Sequence, residues 1–181
     1  MATVITITGD PGSGKSTVSN LLKERLGYGY VYTGSIQREI AGRYRMTTLE
    51  LNRYAETHPE IDEEIDSVFR SLNGSSGLIV DSRMAWFFIP RSFKVYLKTG
   101  LDVAVKRIFG DSRRFSENYT SPEEAAARIM ERKESENKRY MDLYGADCAD
   151  MDSYDLLIDT SRMTPEKVAD MIISAYNHFT A

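Results

Sequence analysis

Two rhythms of apolar residues take turns along the chain. Thr3-Val4-Ile5-Thr6-Ile7-Thr8 is β-branched and reads as a strand, whereas Thr17 to Leu26 places Val18, Leu21, Leu22 and Leu26 at helical spacing. Gly27 stops that helix, and Tyr28 to Thr33 predicts a second strand. Thr33-Gly34-Ser35 opens a helix from Ile36 to about Tyr44. Thr47, with Glu50 three residues on, caps another helix to about Thr57, and Pro59 begins one through Ile61, Ile65, Val68, Phe69 and Leu72. After the loop-forming Asn73-Gly74-Ser75-Ser76-Gly77, the apolar run Leu78-Ile79-Val80-Asp81 predicts a buried strand that ends in a carboxylate.

The second half continues the alternation. Phe93 to Leu97 reads as a strand and Leu101 to Phe109 as a helix. Ser121-Pro122-Glu123-Glu124 combines a cap, a first-turn proline and two early acids, and predicts a long helix to Tyr144 that Gly145 ends. Tyr154 to Ile158 is the last strand, and Thr164-Pro165-Glu166 caps a final helix with Val168, Met171, Ile172 and Ala175 on one face. Such alternation predicts an α/β fold: a five-stranded parallel sheet flanked by helices, in one domain over residues 1–181. Two excursions interrupt it. Residues 34–76 are all helical, and residues 110–140 are basic. In an open parallel sheet both return to the edge where the strand C-termini lie, so one is expected to hold a second substrate and the other to close over the reaction.

Between the first strand and the first helix lies Gly9-Asp10-Pro11-Gly12-Ser13-Gly14-Lys15-Ser16, followed by Thr17. Gly, four free residues, Gly, Lys and Ser, with a strand before and a helix after, form a phosphate-binding loop. Its glycines let the backbone N–H groups converge on anionic oxygens, and the helix aims the positive end of its dipole there. Lys15 is expected to reach the β- and γ-phosphates of ATP, and the Ser16 hydroxyl to ligate Mg²⁺.

Charge and cysteine content narrow the setting. With 181 residues the chain is long enough for a real core. The net charge of −4 speaks against nucleic acid or a membrane surface as partner, although Lys106, Arg107, Arg113, Arg114, Arg128, Arg132, Lys133, Lys138 and Arg139 gather cations in one segment. One cysteine, Cys148, leaves no intramolecular disulfide and fits a reducing compartment. The first apolar run is short, Thr-rich and leads into the phosphate loop, unlike a leader or a membrane span. A cytoplasmic protein with a nucleoside-triphosphate site is therefore expected.

Several separate stretches, taken together, resemble the nucleoside monophosphate kinases, and more narrowly the short archaeal-type cytidylate kinases. They are the phosphate loop, Thr33-Gly34 with Arg38, Arg53-Tyr54-Ala55-Glu56 leading to Pro59-Glu60-Ile61-Asp62, Asp81-Ser82-Arg83-Met84-Ala85-Trp86, and Arg107-Ile108-Phe109-Gly110. Ser135-Glu136-Asn137-Lys138-Arg139-Tyr140, Leu143-Tyr144-Gly145 and Tyr154 to Thr160 complete the set. The resemblance implies ATP-dependent phosphorylation of CMP or dCMP. The chain departs from the pattern in three ways. It has no room for the insert of the larger bacterial enzymes. It has Ser82 where the short enzymes usually carry Gly. Trp86-Phe87-Phe88-Ile89-Pro90 is unusually apolar.

Phosphoryl transfer needs alignment and neutralisation of charge, which the planar, permanently charged arginine fork supplies. By the resemblance, Arg38 and Arg83 hold the acceptor monophosphate; the residues alone also allow a surface arginine and a structural ion pair. Arg107 resembles the arginine whose flat face covers the adenine, and Arg113, Arg114, Arg132 and Arg139 resemble lid arginines. Arg132 and Arg139, seven apart, share a helix face. Asp81 either supports Mg²⁺ through water or orients Arg83 or a helix start. Thr33 and Ser35, with Gly34, are candidate acceptor contacts, Ser35 equally a helix-start residue. Asp62 and Asp66 share a face that either reads a cytosine amino group or is simply solvated. Trp86 either stacks on the base or belongs to the core. His58 and His178 lack partners at ligand spacing, so no zinc is expected, and Cys148 reads as inert. Other acceptors (UMP, AMP, shikimate, gluconate) and a non-catalytic ATP sensor remain as rival readings.

Overall fold

The computed structural model describes residues 3–46, 48–55, 57–109 and 120–181, apart from the side chains of residues 48, 49, 52, 53, 132 and 135. Five strands, β1 (Val4–Gly9), β2 (Gly29–Tyr32), β3 (Leu78–Asp81), β4 (Phe93–Lys98) and β5 (Leu156–Asp159), form one sheet in the order β2-β3-β1-β4-β5. Every pairing is parallel. Ile7 stands beside Asp81, Gly9 beside Leu97, and Tyr32 beside Asp81, so the ends of β1, β2, β3 and β4 reach one edge together.

Period-two alternation divides the core. Ile5 and Ile7 of β1 join Ile79, Val95, Leu97 and Ile158 under two helices, α1 (Lys15–Leu26) and α8 (Pro165–Thr180), which contribute Val18, Leu22, Val168 and Ile172. On the opposite face Val4, Val80 and Tyr96 meet Ile36 and Ile40 of α2 (Thr33–Tyr44), Leu51 of α3 (Thr48–Ala55), Ile61 and Phe69 of α4 (Pro59–Ser71), and Trp86 and Phe88 of α5 (Ala85–Phe88). A third cluster binds α6 (Leu101–Phe109) to α7 (Pro122–Tyr144) through Ala104, Ile108, Ala125 and Ile129. Each large side chain so buried contributes about 1.5–3 kcal/mol.

Local signals set the helix ends. Ser121 accepts from the Glu124 N–H at 3.1 Å to start α7, and Gly145 closes it with φ 64°. Two boundaries move toward the site. α1 begins at Lys15, not Thr17, because Gly14 already adopts φ 86° and turns Lys15 and Ser16 into the first helical turn. α2 begins at Thr33, not Ile36, because the Ser35 hydroxyl donates to the Tyr32 carbonyl at 2.7 Å and folds Thr33 and Gly34 into the first turn. β5 starts two residues later than predicted, after a 3₁₀ turn at Met151–Ser153 that Asp150 caps. The short α5 was not predicted, since four apolar residues carry no period. The cap assigned to Thr47 lies outside the described residues. Among the described residues no helix is long and apolar enough to cross a membrane.

The end of β1 is packed against β4 so closely that only hydrogen fits. A Cβ on Gly9 would stand 2.3 Å from the Leu97 carbonyl oxygen. Gly9→Ala is therefore expected to lower unfolding free energy by about 1–3 kcal/mol, read from urea unfolding, because backbone rather than a side chain must yield.

Candidate active site

The phosphate loop is held from behind by groups that leave its front to a ligand. The Asp10 N–H donates to the Leu97 carbonyl at 2.9 Å, and the Ser13 N–H closes a turn on the Asp10 carbonyl at 3.1 Å. Arg107 of α6 donates to the Gly12 carbonyl at 3.1 Å, to the Thr160 hydroxyl at 3.2 Å and to the Thr160 carbonyl at 2.8 Å. The Thr160 hydroxyl, fully buried after β5, in turn lies 3.0 Å from the Ser13 carbonyl. Gly12, with φ 75°, passes so close to α6 that a Cβ would meet the Ala104 Cα at 2.8 Å. The Gly12 and Ser13 carbonyls are thus turned toward the protein, as suits a loop whose other side takes anions.

On the front, the Lys15 ammonium donates to the Gly9 carbonyl at 3.2 Å. The Ser16 hydroxyl donates to Asp81 Oδ2 at 3.2 Å, and the Tyr30 hydroxyl to the same oxygen at 3.2 Å. Burial first, then the adjacent Asp81 charge, raises the Tyr30 phenol and keeps it a donor. Asp81 is itself buried. A carboxylate and a hydroxyl side by side are hard oxygen donors, a set that suits Mg²⁺ carried mainly by phosphates and water. Thr17 is exposed in the first turn of α1, while Pro11 and Ser13 are buried.

Asp10 is occupied differently from its neighbours. Tyr96 O–H reaches its Oδ1 at 2.8 Å, the Thr99 N–H its Oδ2 at 3.0 Å, and the Lys133 ammonium of α7 its Oδ1 at 2.7 Å. Burial alone would raise the Asp10 carboxyl, but the bonds from Lys133, Thr99 and Tyr96 together hold it below the ordinary carboxylate value. Its contribution to a ligand on the loop is left to its backbone.

The arginines of the site are each engaged. Arg38 donates to the Tyr32 hydroxyl and lies over the Tyr32 ring at 5.1 Å, beside Gly34 in the first turn of α2. Arg83, two residues past β3, pairs through Nε with Glu136 of α7. Arg139 of α7 pairs with Asp62 of α4, so two residues expected separately, in the lid and at the base, meet. Tyr144 donates to Asp66 at 2.5 Å, yet burial still raises the Asp66 carboxyl above its ordinary value. Trp86 lies in the core with its ring 5.4 Å from that of Tyr154, away from the stacking role. Arg113 and Arg114, and the side chain of Arg132, lie outside the described residues.

A cavity of about 450 Å³ opens between the start of the loop and α7, lined among others by Asp10, Arg83, Tyr96, Lys133, Tyr140 and Cys148. Burial pushes the Cys148 thiol up to about 11, which keeps it protonated there. Residue-type reasoning missed Tyr96, Thr99 and Thr160, although strand-end position flags Tyr96 and Thr160 as neighbours of the loop. Lys133 stands out in the sequence only as one cation of the basic segment.

A Gly-x₄-Gly-Lys-Ser loop on a parallel 2-3-1-4-5 sheet, with arginines at the strand ends, defines a phosphate-loop kinase fold. The fold is also that of shikimate kinase from Acinetobacter baumannii (TM-score 0.62, 19% identity, 96% of this chain and 92% of that chain). Residues 4–162 match the model of the cytidylate kinase-like family, to which the chain belongs. It is 38% identical over 172 residues to the cytidylate kinase of Sulfolobus acidocaldarius, covering 93% of this chain and 91% of that protein. It is 38% identical over 176 residues to the cytidylate kinase of Pyrococcus furiosus, covering 97% and 88%.

The Thr160 hydroxyl ties Ser13, Arg107 and β5 into one knot. Thr160→Val keeps the volume but strips these bonds from buried partners. It is expected to cost about 1–3 kcal/mol of stability in thermal or urea unfolding, with weaker ATP binding measured by calorimetry.

Proposed function

We propose that the protein transfers the γ-phosphoryl group of ATP to CMP or dCMP, giving ADP and the nucleoside diphosphate. The observation that carries this reading, in a chain of the cytidylate kinase-like family, is the parallel register of Ile7 with Asp81. It sets the phosphate loop and the Asp81-Ser82-Arg83 turn on the same edge, facing one reaction space. The loop from Gly9 to Thr17 receives the donor phosphates on those backbone N–H groups that the protein does not itself use, and Lys15 exchanges the Gly9 carbonyl for phosphate oxygen. Arg107, its edge fixed on Gly12 and Thr160, offers its plane to the adenine. Ser16 and Asp81 hold Mg²⁺, which neutralises charge on the transferring phosphates when bound.

Residues 34–76 form the acceptor-binding part, in which Arg38 and Arg83 grip the monophosphate beside Thr33, Gly34 and Ser35. Asp62 accepts from the cytosine amino group once Arg139 turns to the phosphates. Residues 110–140 act as the lid, bringing Arg113, Arg114 and Arg132 over the site and excluding water that would otherwise hydrolyse ATP. An oxygen of the acceptor phosphate attacks the γ-phosphorus in line, and the bond to the β–γ bridging oxygen breaks. That phosphate is mostly ionised at neutral pH, since its second pKa is about 6, so no general base is required. Alignment and charge neutralisation are the whole task of the side chains. A monomer working with Mg²⁺ in the cytoplasm accords with this chemistry.

The test is ADP formation from Mg-ATP with CMP, dCMP, UMP, AMP or shikimate against a blank without acceptor. Turnover confined to CMP and dCMP is expected. Turnover with another acceptor alone would overturn the cytosine assignment while keeping the kinase, and binding of ATP without turnover of any acceptor would favour a sensor.

A further inference from the structure

A carboxylate is an odd choice inside a loop that receives polyphosphate, since like charges repel across a low-dielectric site. Here the second residue of the loop is Asp10, and it is almost buried. Its oxygens are taken by Tyr96, Thr99 and Lys133, the last at 2.7 Å and the only cation bonded to it among the described residues. Lys133 stands one turn before Glu136 on the inward face of α7, and Glu136 pairs with Arg83. Further along, Arg139 pairs with Asp62 of α4. One helix is therefore fastened to the phosphate loop, to the turn after β3 and to the helical excursion.

We propose that Asp10 and Lys133 form a positioning clasp: Lys133 cancels the charge that Asp10 would present to ATP, and Asp10 holds α7 over the phosphate loop so that Glu136 meets Arg83. The proposal rests on the ATP-dependent reading above. Asp10 is set for this by two donors that belong to the body of the protein, Tyr96 and Thr99, so it is the fixed half. Lys133, whose side chain is 50% exposed, arrives with the helix and is the movable half. Its partner lies 123 residues away in sequence, and both line the cavity that Arg83 also lines. Removing Lys133 leaves an uncompensated carboxylate next to the donor phosphates, whereas removing both charges does not. The effect of Lys133 must then depend on Asp10.

The test is a double-mutant cycle on the full chain with Asp10→Asn, Lys133→Met and both together, reading the Kd for Mg-ATP by calorimetry without acceptor. Lys133→Met is expected to weaken ATP binding about tenfold in the wild-type background and less than about threefold in the Asp10→Asn background, and Lys133→Arg to keep the affinity within about threefold. An equal loss in both backgrounds would overturn the clasp, because Lys133 would then act on phosphate directly. An unchanged affinity in Lys133→Met would overturn it too, marking the pair as a surface contact. Lys133→Gln serves as a second neutral variant, and thermal melts establish that each protein is folded. A wild-type chain that bound no ATP would remove the kinase reading with the clasp, whereas lost coupling in an enzyme that phosphorylates CMP removes the clasp alone.

Discussion

The rest of the site depends on one constraint: the carbonyls of the phosphate loop must point into the protein before any phosphate arrives. A loop that offers N–H groups to a ligand leaves carbonyl acceptors behind it, and buried acceptors need donors. Arg107 and Thr160 provide them at Gly12 and Ser13, and Leu97 takes the Asp10 N–H. The two donors come from α6 and the segment after β5 and the acceptor from β4, elements brought together by the strand order β1-β4-β5. The sheet is thus the means by which a loop near the start of the chain is braced by residues more than eighty positions away. Bracing in advance means that little reorganisation accompanies ligand binding, which is how electrostatic stabilisation becomes effective.

Charge is balanced by pairing across elements. Arg83 with Glu136, Arg139 with Asp62 and Lys133 with Asp10 each join α7 to a different part of the site. The Lys133 and Arg139 side chains are about half exposed, and an exposed ion pair contributes at most about 1 kcal/mol, so these two pairs do not by themselves hold the fold together. Such pairs are cheap to exchange, which accords with the phosphate-binding roles proposed for Arg83 and Arg139.

Most of the fold was legible because its signals are local. The β-branched run before Gly9, the cap at Ser121 and the stop at Gly145 each act within one turn, and each stands where it was read. The fourfold-spaced apolar residues of α4 likewise point into the core. Where reading failed, the deciding partner was distant or the element too short. Lys133 looks like one more cation on a charged helix until Asp10 is placed opposite it. Trp86 cannot be divided between base and core from sequence, because its burial comes from Tyr154 on another element. The phosphate loop was visible as a motif, while the residues that brace it, Tyr96, Thr99 and Thr160, have no motif and are found only through the sheet.

The proposed division of labour at the strand ends, donor phosphates on the loop and acceptor phosphate on Arg83, is tested most directly by removing the phosphate from the ligand. CMP and cytidine are titrated into the wild-type protein and into Arg83→Met by calorimetry. Expected is a loss of at least about tenfold in CMP affinity, since a charge-assisted bidentate pair is worth 1.4 kcal/mol or more, with cytidine affinity unchanged. An equal change for both ligands, or none for CMP, would contradict the assignment of Arg83 to the acceptor phosphate.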